Sequence, residues 1–342
     1  MLEKPNLSDE KIISCLYDAY RFIVENLTFL PLGADANTAV YRATTADKTP
    51  YFIKLRHISG FRASAVIVPK FLSDLGIAQI IPPLPTCTGE LWVRFGSYNM
   101  IVFPFVQGKN GFEQPLTAAQ RIEFGRALKK VHTAELPESI SKEIPRETFS
   151  GKWHILLAQF MAQIEHDTFT DPIAQELATF LNGKRKEIDQ LLHKFAWLLA
   201  AFPAQASEFV LCHADIHAWN LLLTPENQLY MVDWDTLIFA PKERDLMFIG
   251  AGLGGHGHSR EDEERFFYQG YGATPLSLKA LAYYRYERII EDIVVYCQQI
   301  FLTDDGGEDR QQAVHYVRAN FLPDGTIDLA NRYEDGETFV ET

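Results

Sequence analysis

The spacing of apolar side chains divides the chain into a strand-rich first part and a second part with helical periodicity. The first part opens with apolar residues at helical spacing over 12–23, preceded by Ser8 and an acidic first turn. A weaker helical stretch at 63–75 contains Pro69, which we expect to kink or break it. The remaining apolar runs are short and bounded by turn residues, as strands are. They predict strands at 27–32, 38–43, 51–55, 91–95 and 99–106.

The second part is mainly helical. Thr117 and Gln120 form a capping-box pattern that opens a helix through about His132. A β-rich island at 209–234 interrupts the helical pattern. The two parts together predict an α+β fold, in which a small antiparallel sheet precedes a larger helical region. The other predicted helices lie at 150–166, 172–200, 244–250, 261–270, 277–301 and 308–320.

The distribution of charge places a boundary near residue 106. The chain has 342 residues, more than a typical single core holds, and its formal net charge is −13. Residues 1–106 carry 10 basic and 9 acidic side chains, whereas residues 107–342 carry 22 basic and 36 acidic ones. We therefore predict two lobes with these bounds. The acidity disfavours a nucleic-acid or anionic membrane partner and suits a cationic small molecule.

The cysteines and the N-terminal residues predict a cytoplasmic protein. The 4 cysteines are scattered without a CxxC pair, which is typical of reduced thiols. The N-terminal segment MLEKPNLSDE has no apolar h-region, and no run of about 18 apolar residues occurs in the sequence. We expect neither a secretory signal nor a membrane-spanning segment.

The segment CHADIHAWN at 212–220, followed by MVDWD at 231–235, carries the most specific chemical pattern. Phosphoryl transfer needs a carboxylate that orients the attacking hydroxyl and accepts its proton. It also needs an amide oxygen and a second carboxylate to hold Mg²⁺ between the nucleotide phosphates. Asp215 and Asn220 supply the first carboxylate and the amide on one tight loop, and Asp233 supplies the second carboxylate from a neighbouring hairpin.

These motifs resemble those of the aminoglycoside phosphotransferase and choline-kinase-like superfamily, whose members are relatives of the protein kinases. The segment PYFIKLR at 50–56 matches the strand that carries the nucleotide lysine, and LGADANTAVYRA at 32–43 is similar to the nucleotide-positioning loop. Three longer segments are similar to the spectinomycin phosphotransferase branch of this superfamily. They are FPFVQGKNGFEQPLT, APKERDLMFIGAG and YYRYERIIEDIVVY.

The resemblance implies a bilobal protein-kinase-like fold, with a small antiparallel β N-lobe and a larger, mainly helical C-lobe. It implies ATP or GTP and Mg²⁺ as cofactors. Asp215 matches the catalytic base, Asn220 and Asp233 match the metal ligands, and His213 matches a residue that supports the catalytic loop. The nucleotide-binding residues that it implies are Lys54, Asn37, Thr38, Phe103 and Phe105.

One position departs from the pattern of the superfamily. The lysine that binds the α- and β-phosphates, Lys54 in this chain, usually pairs with a glutamate on the next helix. No acidic residue occurs between Lys54 and Asp74. Two explanations stay open: either Asp233 holds Lys54, or the partner comes from elsewhere in the chain.

Acidic residues in the second part are candidates for binding a cationic acceptor. Asp235 lies two positions after Asp233, and Glu287 and Glu291 share a helix face at i, i+4 spacing. The alternative for the helix pair is a solvated face with Arg288 as partner. The resemblance implies that the acceptor is a hydroxyl of an aminocyclitol such as spectinomycin, with antibiotic resistance as the biological role.

Three alternatives to this function stay open. A kinase of the same fold could act on another hydroxylated amine or on a macrolide, and the missing helix glutamate allows a catalytically silent nucleotide-binding protein. His213, Asp215 and His217 could instead form the metal cluster of a hydrolase, since imidazole and carboxylate suit Zn or Mn. A GxGxxG pattern at 250–255 follows a helical pattern instead of a strand, which argues against a dinucleotide site. The oligomeric state is also open.

Overall fold

The structure is a computed structural model that describes residues 3–33, 35, 37–201, 208–250, 259–303, 307–323 and 325–332. The chain forms two compact units. The first unit consists of Met1–Arg146 and Phe209–Thr274, and the second consists of Glu147–Glu208 and Pro275–Thr342. The predicted lobe boundary at residue 106 is based on charge and pattern instead of compactness, and it stays a prediction. Most of the GxGxxG pattern lies outside the described residues.

The first unit contains all strands of the described residues. These are β1 (Val24–Leu30), β2 (Thr38–Thr45), β3 (Pro50–His57), β4 (Val93–Phe95), β5 (Tyr98–Pro104), β6 (Lys109–Asn110), β7 (Phe209–Cys212), β8 (Leu221–Leu223), β9 (Leu229–Met231) and β10 (Ile238–Pro241). Its helices are α1 (Asp9–Tyr20), α2 (Ser64–Asp74), α3 (Ala118–His132), α4 (Glu138–Ser141), α8 (Glu243–Leu246) and α9 (Arg260–Tyr271). The second unit is helical, with α5 (Lys152–His166), α6 (Pro172–Gly183), α7 (Arg185–Ala201), α10 (Leu278–Phe301), α11 (Gly307–Ala319) and α12 (Thr326–Arg332).

A five-stranded antiparallel sheet with the order β1-β2-β3-β5-β4 forms the N-terminal part of the first unit. Side chains alternate between the two faces of a strand. Ile53 and Leu55 of β3 are buried in the core with α1, so Lys54 and Arg56 point to the opposite face of β3. The core consists of Ile12, Leu16, Tyr20, Ala39, Tyr41, Ala43, Ile53, Leu55, Met100 and Val102.

Of the two outcomes expected at Pro69, a kink or a break, the break in α2 does not occur. The helix runs from Ser64 to Asp74 with Pro69 inside it. Val66, Val68 and Pro69 itself are buried. Because most helical stability in proteins comes from packing of an apolar face, this burial outweighs the loss of one backbone hydrogen bond.

The prediction of one helix over 172–200 is wrong. The chain forms α6 and α7, which are separated at Lys184. Asn182 and Gly183 end α6, and this pair is a helix-stop pattern that the apolar periodicity across the junction conceals. Asp171 caps the start of α6, where its Oδ2 accepts a hydrogen bond from the Ala174 amide at 2.8 Å.

The long helix α10 is buried on several faces over most of its length, as expected for a central helix of an all-helical unit. Arg310 of α11 is also buried, and its Nη2 donates to Asp171 Oδ2 at 2.6 Å and to the Ile300 carbonyl at 2.9 Å. The Ala174 amide, and after it this guanidinium, lowers the pKa of Asp171.

No helix among the described residues has the length and hydropathy needed to cross a bilayer.

Two glycines allow α3 and α9 of the first unit to pack backbone against backbone. A Cβ atom on Gly125 would collide with the main chain of α9, and one on Gly270 would collide with the carbonyl of Ile122. Neither position accommodates a side chain without moving a helix. The close approach brings His132 at the end of α3 to Tyr271 at the end of α9, with their rings 5.6 Å apart.

We predict that Asp171→Ala lowers the free energy of unfolding by about 2 kcal/mol, since it removes a helix cap and leaves Arg310 without its carboxylate partner. Urea unfolding measures the change. Asp171→Asn is the matched control, because asparagine caps helices nearly as well and loses only the charge. An alanine variant as stable as the wild type would contradict this role of Asp171.

Candidate active site

The predicted catalytic loop leaves β7 and turns through Ala214, whose φ of 68° lies in the left-handed region. This conformation is unusual for a residue with a side chain and needs support from its surroundings. Asp215 follows, and a short 3₁₀ turn at Ala218–Asn220 leads into β8. The amide of Val232 donates to the Asn220 carbonyl at 3.0 Å, which ties this loop to the segment that carries Asp233.

The buried side chain of His213 also connects the catalytic loop to the segment that carries Asp233. Its side chain is fully buried, with Nε2 2.9 Å from the Val232 carbonyl and Nδ1 accepting from the Asp215 amide at 3.3 Å. A carbonyl only accepts, so Nε2 carries the proton and the ring is the neutral tautomer. The ring of Trp234 packs against it with centroids 4.6 Å apart. The predicted support of the loop by His213 therefore has a concrete geometry.

Asp215 and Asn220 lie together. The Asn220 side-chain Nδ2 donates to the Asp215 carbonyl at 2.7 Å and to its Oδ2 at 3.2 Å. His217 Nε2 lies 3.3 Å from Asp215 Oδ1. Because Nδ2 faces Asp215, the amide oxygen of Asn220 is the atom that could bind a cation.

Lys54 lies between two carboxylates of one short turn. Its Nζ is 2.8 Å from Asp233 Oδ1 and 2.9 Å from Asp235 Oδ2. The side chain of Lys54 is 12% exposed, whereas that of Asp233 is 51% exposed. Of the two explanations left open by the sequence, the structure therefore has Asp233 holding Lys54, and it adds Asp235 as a second partner.

The charges of this cluster stabilise each other. Burial by itself would lower the pKa of Lys54, but Asp233 and Asp235 outweigh it and raise that pKa above its ordinary value. Lys54 in turn lowers the pKa of Asp233, against the opposing effects of burial and of Asp215. The half-exposed Asp233 carboxylate and the Asn220 amide oxygen are hard oxygen donors, so this pair fits Mg²⁺.

Hydrogen bonds join the described residues Asp35, Asn37 and Thr38 of the predicted nucleotide-positioning loop. The Asn37 amide donates to Asp35 Oδ1 at 2.8 Å, and the Thr38 hydroxyl lies 3.2 Å from Asp35 Oδ2. Arg56 of β3 contacts both Thr38 and Asp35. Asn37 and Thr38 are thus placed at the start of β2, beside the strand that carries Lys54.

The predicted hinge begins where β5 ends. Phe103 pairs with Phe52 of β3, with ring centroids 6.4 Å apart. The amide of Phe105 donates to the Pro50 carbonyl at 3.3 Å, and the guanidinium of Arg42 lies over the Phe105 ring. A nucleobase at this edge would have to share the Phe105 amide with Pro50. The hinge role of Phe103 and Phe105 stays a prediction.

Sequence reasoning missed Asp245, which supports the catalytic loop through its backbone amides. This carboxylate is fully buried and accepts hydrogen bonds from the amides of His213 at 2.9 Å and Ala214 at 2.6 Å. His132 Nε2 lies 2.9 Å from Asp245 Oδ2, and His132 Nδ1 lies 2.7 Å from the Tyr271 hydroxyl. A carboxylate only accepts, so Nε2 of His132 donates to Asp245. Asp245 lies in the segment APKERDLMFIGAG, which stands out in the sequence only for its similarity to the spectinomycin phosphotransferase branch.

A metal cluster of the hydrolase type does not form from His213, Asp215 and His217. In the part of the chain that the structure describes, the group close enough to hold an ion is His132, Cys212 and Asp245. His132 and Asp245 already hydrogen-bond to each other, and the Cys212 thiol donates to the Ala240 carbonyl. Burial also raises the pKa of the Cys212 thiol well above its ordinary value. A protonated thiol is a poor metal ligand, which disfavours a metal site there.

Glu287 and Glu291 lie on α10 in the second unit. Glu287 is buried, at 7% exposure, and its Oε1 accepts a hydrogen bond from the Tyr283 hydroxyl at 2.9 Å. Arg288 pairs with Asp292 at 2.9 Å. The alternative of a solvated face is therefore wrong for Glu287. The acceptor-binding role of Glu287, Glu291 and Asp235 stays a prediction.

Comparison with known proteins gives the class to which this fold and site belong. The sequence profile of the phosphotransferase enzyme family matches residues 28–281, and the chain belongs to that family. Protein StrN of Streptomyces griseus is 26% identical over 246 residues, which span 70% of this chain and 74% of that protein. The enzyme class predicted from the catalytic motifs, a phosphotransferase with an alcohol acceptor, is confirmed.

Among solved structures, the chain is similar to spectinomycin phosphotransferase APH(9)-Ia in complex with ADP and spectinomycin. The identity is 33% and the TM-score 0.88, covering 96% of this chain and 99% of that one. Amicoumacin kinase hAmiN shares the fold, with 16% identity, a TM-score of 0.58 and coverage of 94% of both chains. The predicted α+β fold of the protein-kinase-like type and the resemblance to the spectinomycin phosphotransferase branch are confirmed.

We predict that Asp245→Asn lowers the free energy of unfolding by about 3 kcal/mol, because asparagine keeps one acceptor oxygen and turns its NH2 group towards the buried N–H donor on the other side, here the Ala214 amide. Turnover falls as well, since Ala214 loses the contact that supports its left-handed backbone. Urea unfolding and steady-state kinetics measure both effects. The control is Asp74→Asn, which removes an exposed i, i+4 pair with Lys70 and should change little. An unchanged stability of the Asp245 variant would rule out the supporting role.

Proposed function

We propose that this protein is an ATP-dependent O-phosphotransferase that phosphorylates a hydroxyl of a cationic aminocyclitol, with spectinomycin as the first candidate. The observation that carries the proposal is the single cluster of Asp215, Asn220, Asp233 and Lys54 in the first unit. The similarity to spectinomycin phosphotransferase along nearly the whole chain supports the class of acceptor. A role in spectinomycin resistance follows if the acceptor is confirmed.

Asp215 is the proposed general base. Its carboxylate is held by the Asn220 amide on one oxygen and by His217 on the other, so it is oriented before substrate arrives. It would accept the proton of the acceptor hydroxyl as that oxygen attacks the γ-phosphorus, and the β–γ bridging oxygen would leave with ADP.

Asn220 and Asp233 are the proposed ligands of Mg²⁺. When bound, the ion supplies positive charge that offsets the charge of the nucleotide phosphates. Lys54 is already placed against Asp233 by its 2.8 Å contact, and we propose that its ammonium binds the α- and β-phosphates from there. The half exposure of Asp233 leaves its carboxylate accessible. Because Lys54 has two carboxylate partners, the missing helix glutamate no longer favours a silent nucleotide-binding protein.

The acceptor side of the proposal rests on Glu287 and Glu291. They share one face of α10, and the Tyr283 hydroxyl orients the buried Glu287 carboxylate. A carboxylate oriented in this way would form a charge-assisted hydrogen bond with an ammonium group of the acceptor. Asp235, the third candidate, already contacts Lys54 and Arg56, so the acceptor proposal does not depend on it.

An ADP-release assay tests this function directly. The purified protein is supplied with Mg²⁺ and either ATP or GTP, and with one acceptor at a time from aminoglycosides, aminocyclitols, macrolides, choline and homoserine. We expect spectinomycin-dependent ADP release and a phosphorylated product by mass spectrometry. Activity with another acceptor alone would replace the aminocyclitol in the proposal, and absence of acceptor-dependent release with all of them would contradict it.

We predict that Asp215→Asn lowers kcat by about 10²–10⁴-fold while ATP still binds, because the amide keeps the shape of the side chain but accepts no proton. Kinetics give kcat, and calorimetric titration gives the affinity for ATP. Asp18→Asn, an exposed change on α1, serves as the control and should behave as the wild type. Near-normal turnover of the Asp215 variant would remove this residue from the proton transfer.

We predict that Glu287→Gln and Glu291→Gln raise the KM for the aminocyclitol, by about tenfold or more where the carboxylate contacts an ammonium directly. The KM for ATP should change little, because these residues are assigned to the acceptor. Glu165→Gln, an exposed change on α5, controls for the loss of one negative charge. Unchanged acceptor kinetics at low salt would show that the pocket lies elsewhere and would leave the phosphotransfer itself untouched.

A further inference from the structure

In the first unit, two cations spaced i, i+2 on β3 contact two carboxylates spaced i, i+2 in the turn after β9. Lys54 and Arg56 are alternate residues of β3, so both side chains lie on one face of the strand. Asp233 and Asp235 flank the buried Trp234 in the short turn after β9. Lys54 contacts both carboxylates, and Arg56 contacts the second one. Asp235 is therefore shared by two cations of one strand.

Arg56 extends this pairing to the predicted nucleotide loop. Its Nε lies 3.5 Å from Asp235 Oδ2 and 3.4 Å from the Gly60 carbonyl. Its Nη1 donates to the Thr38 hydroxyl at 2.5 Å and forms an ion pair with Asp35. One guanidinium thus connects three segments: the loop before β2, the end of β3 and the turn that carries Asp233.

The burial of these groups makes their coupling stronger than that of surface ion pairs. The side chains of Lys54, Arg56 and Asp235 are 12%, 15% and 24% exposed. Charges that are partly removed from water interact through a lower effective dielectric constant, and surface pairs lose most of this energy to solvent.

We propose that Asp235 and Arg56 are positioning residues for the nucleotide. Asp235 takes the place of the helix glutamate that usually pairs with the lysine, and Arg56 fixes the nucleotide loop relative to Asp235 and Lys54. The nucleotide loop and the lysine are then set by one connected chain of contacts that runs from Asp35 to Asp233. This inference rests on the proposed function, since it assigns both residues to the binding of ATP.

The geometry requires arginine and not merely a positive charge at position 56. A guanidinium presents several donors in one plane, so Nε faces Asp235 while Nη1 reaches Thr38 and Asp35. A lysine ammonium is a single point at the end of a flexible chain and would reach one of these partners at a time. Arg56→Lys therefore separates a positioning role from a general effect of charge.

The test is a double-mutant cycle with Arg56→Gln, Asp235→Asn and the combination of the two. Calorimetric titration with Mg²⁺ and ATP, without acceptor, gives the Kd for the nucleotide. We expect each single variant to raise this Kd about tenfold. The Kd of the double variant should be only slightly higher than that of the single variant that binds ATP less tightly, because both residues act through one contact. Arg56→Lys should lose about as much affinity as Arg56→Gln. The KM for the acceptor should stay within about twofold of the wild type in the Arg56 variants.

Apart from normal ATP binding by the variants, two outcomes would overturn the proposal. The first is an additive double variant, which would mean that Arg56 and Asp235 act independently. The second is full rescue by Arg56→Lys, which would reduce Arg56 to background charge. Arg94→Gln, an exposed arginine on β4 of the same sheet, is the matched control and should bind ATP normally.

Unfolding and wild-type measurements keep the outcomes separate. Circular dichroism and urea unfolding without nucleotide identify a variant that fails to fold. In that case Asp35→Asn, a change in an exposed loop residue, tests the same chain of contacts and should also raise the Kd for ATP. If the wild type itself does not bind ATP, the proposed function fails. If it binds ATP and the Arg56 and Asp35 variants bind equally well, only the positioning role fails.

Discussion

The contact on which the first unit depends is the ammonium of Lys54 between Asp233 and Asp235. It joins β3 to the turn after β9, and its residues Lys54 and Asp233 are 179 positions apart in the chain. A lysine held at 12% exposure is favourable only where carboxylates compensate for lost hydration, and here two of them do so. The same contact keeps Asp233 ionised, as a cation ligand must be.

The loop that carries Asp215 depends on a different kind of support. Ala214 and Asp233 both adopt positive φ angles, which are unfavourable for residues with a side chain. Ala214 precedes the predicted base Asp215, and Asp233 is itself a predicted metal ligand. Asp245 binds the amide of Ala214, and His213 links the loop to Val232. Such backbone conformations cost energy and persist only where surrounding contacts hold them, as Asp245 holds Ala214.

Much of the fold could be predicted from the sequence, because the apolar alternation of β2 and β3 and the capping box at Thr117 are local signals. Packing overrides a local rule at Pro69 in the buried α2, whereas the end of α6 was missed because apolar periodicity concealed the stop signal of Asn182 and Gly183. For the site, the spacing of Asp215 and Asn220 suggested their meeting, which the structure shows. The pairing of Asp235 with Arg56 could not be read from sequence, since it joins distant segments whose approach depends on the whole unit.

The direct backbone contact of α3 and α9 has a consequence for how the enzyme can diverge. The helix pair fixes the position of Tyr271 and His132, and their hydrogen bonds continue through Asp245 to the catalytic loop. One added methyl group at Gly125 or Gly270 would separate the helices and displace a loop that neither glycine touches. Residues elsewhere in the first unit can therefore change without moving this loop, whereas these two positions admit no residue larger than glycine.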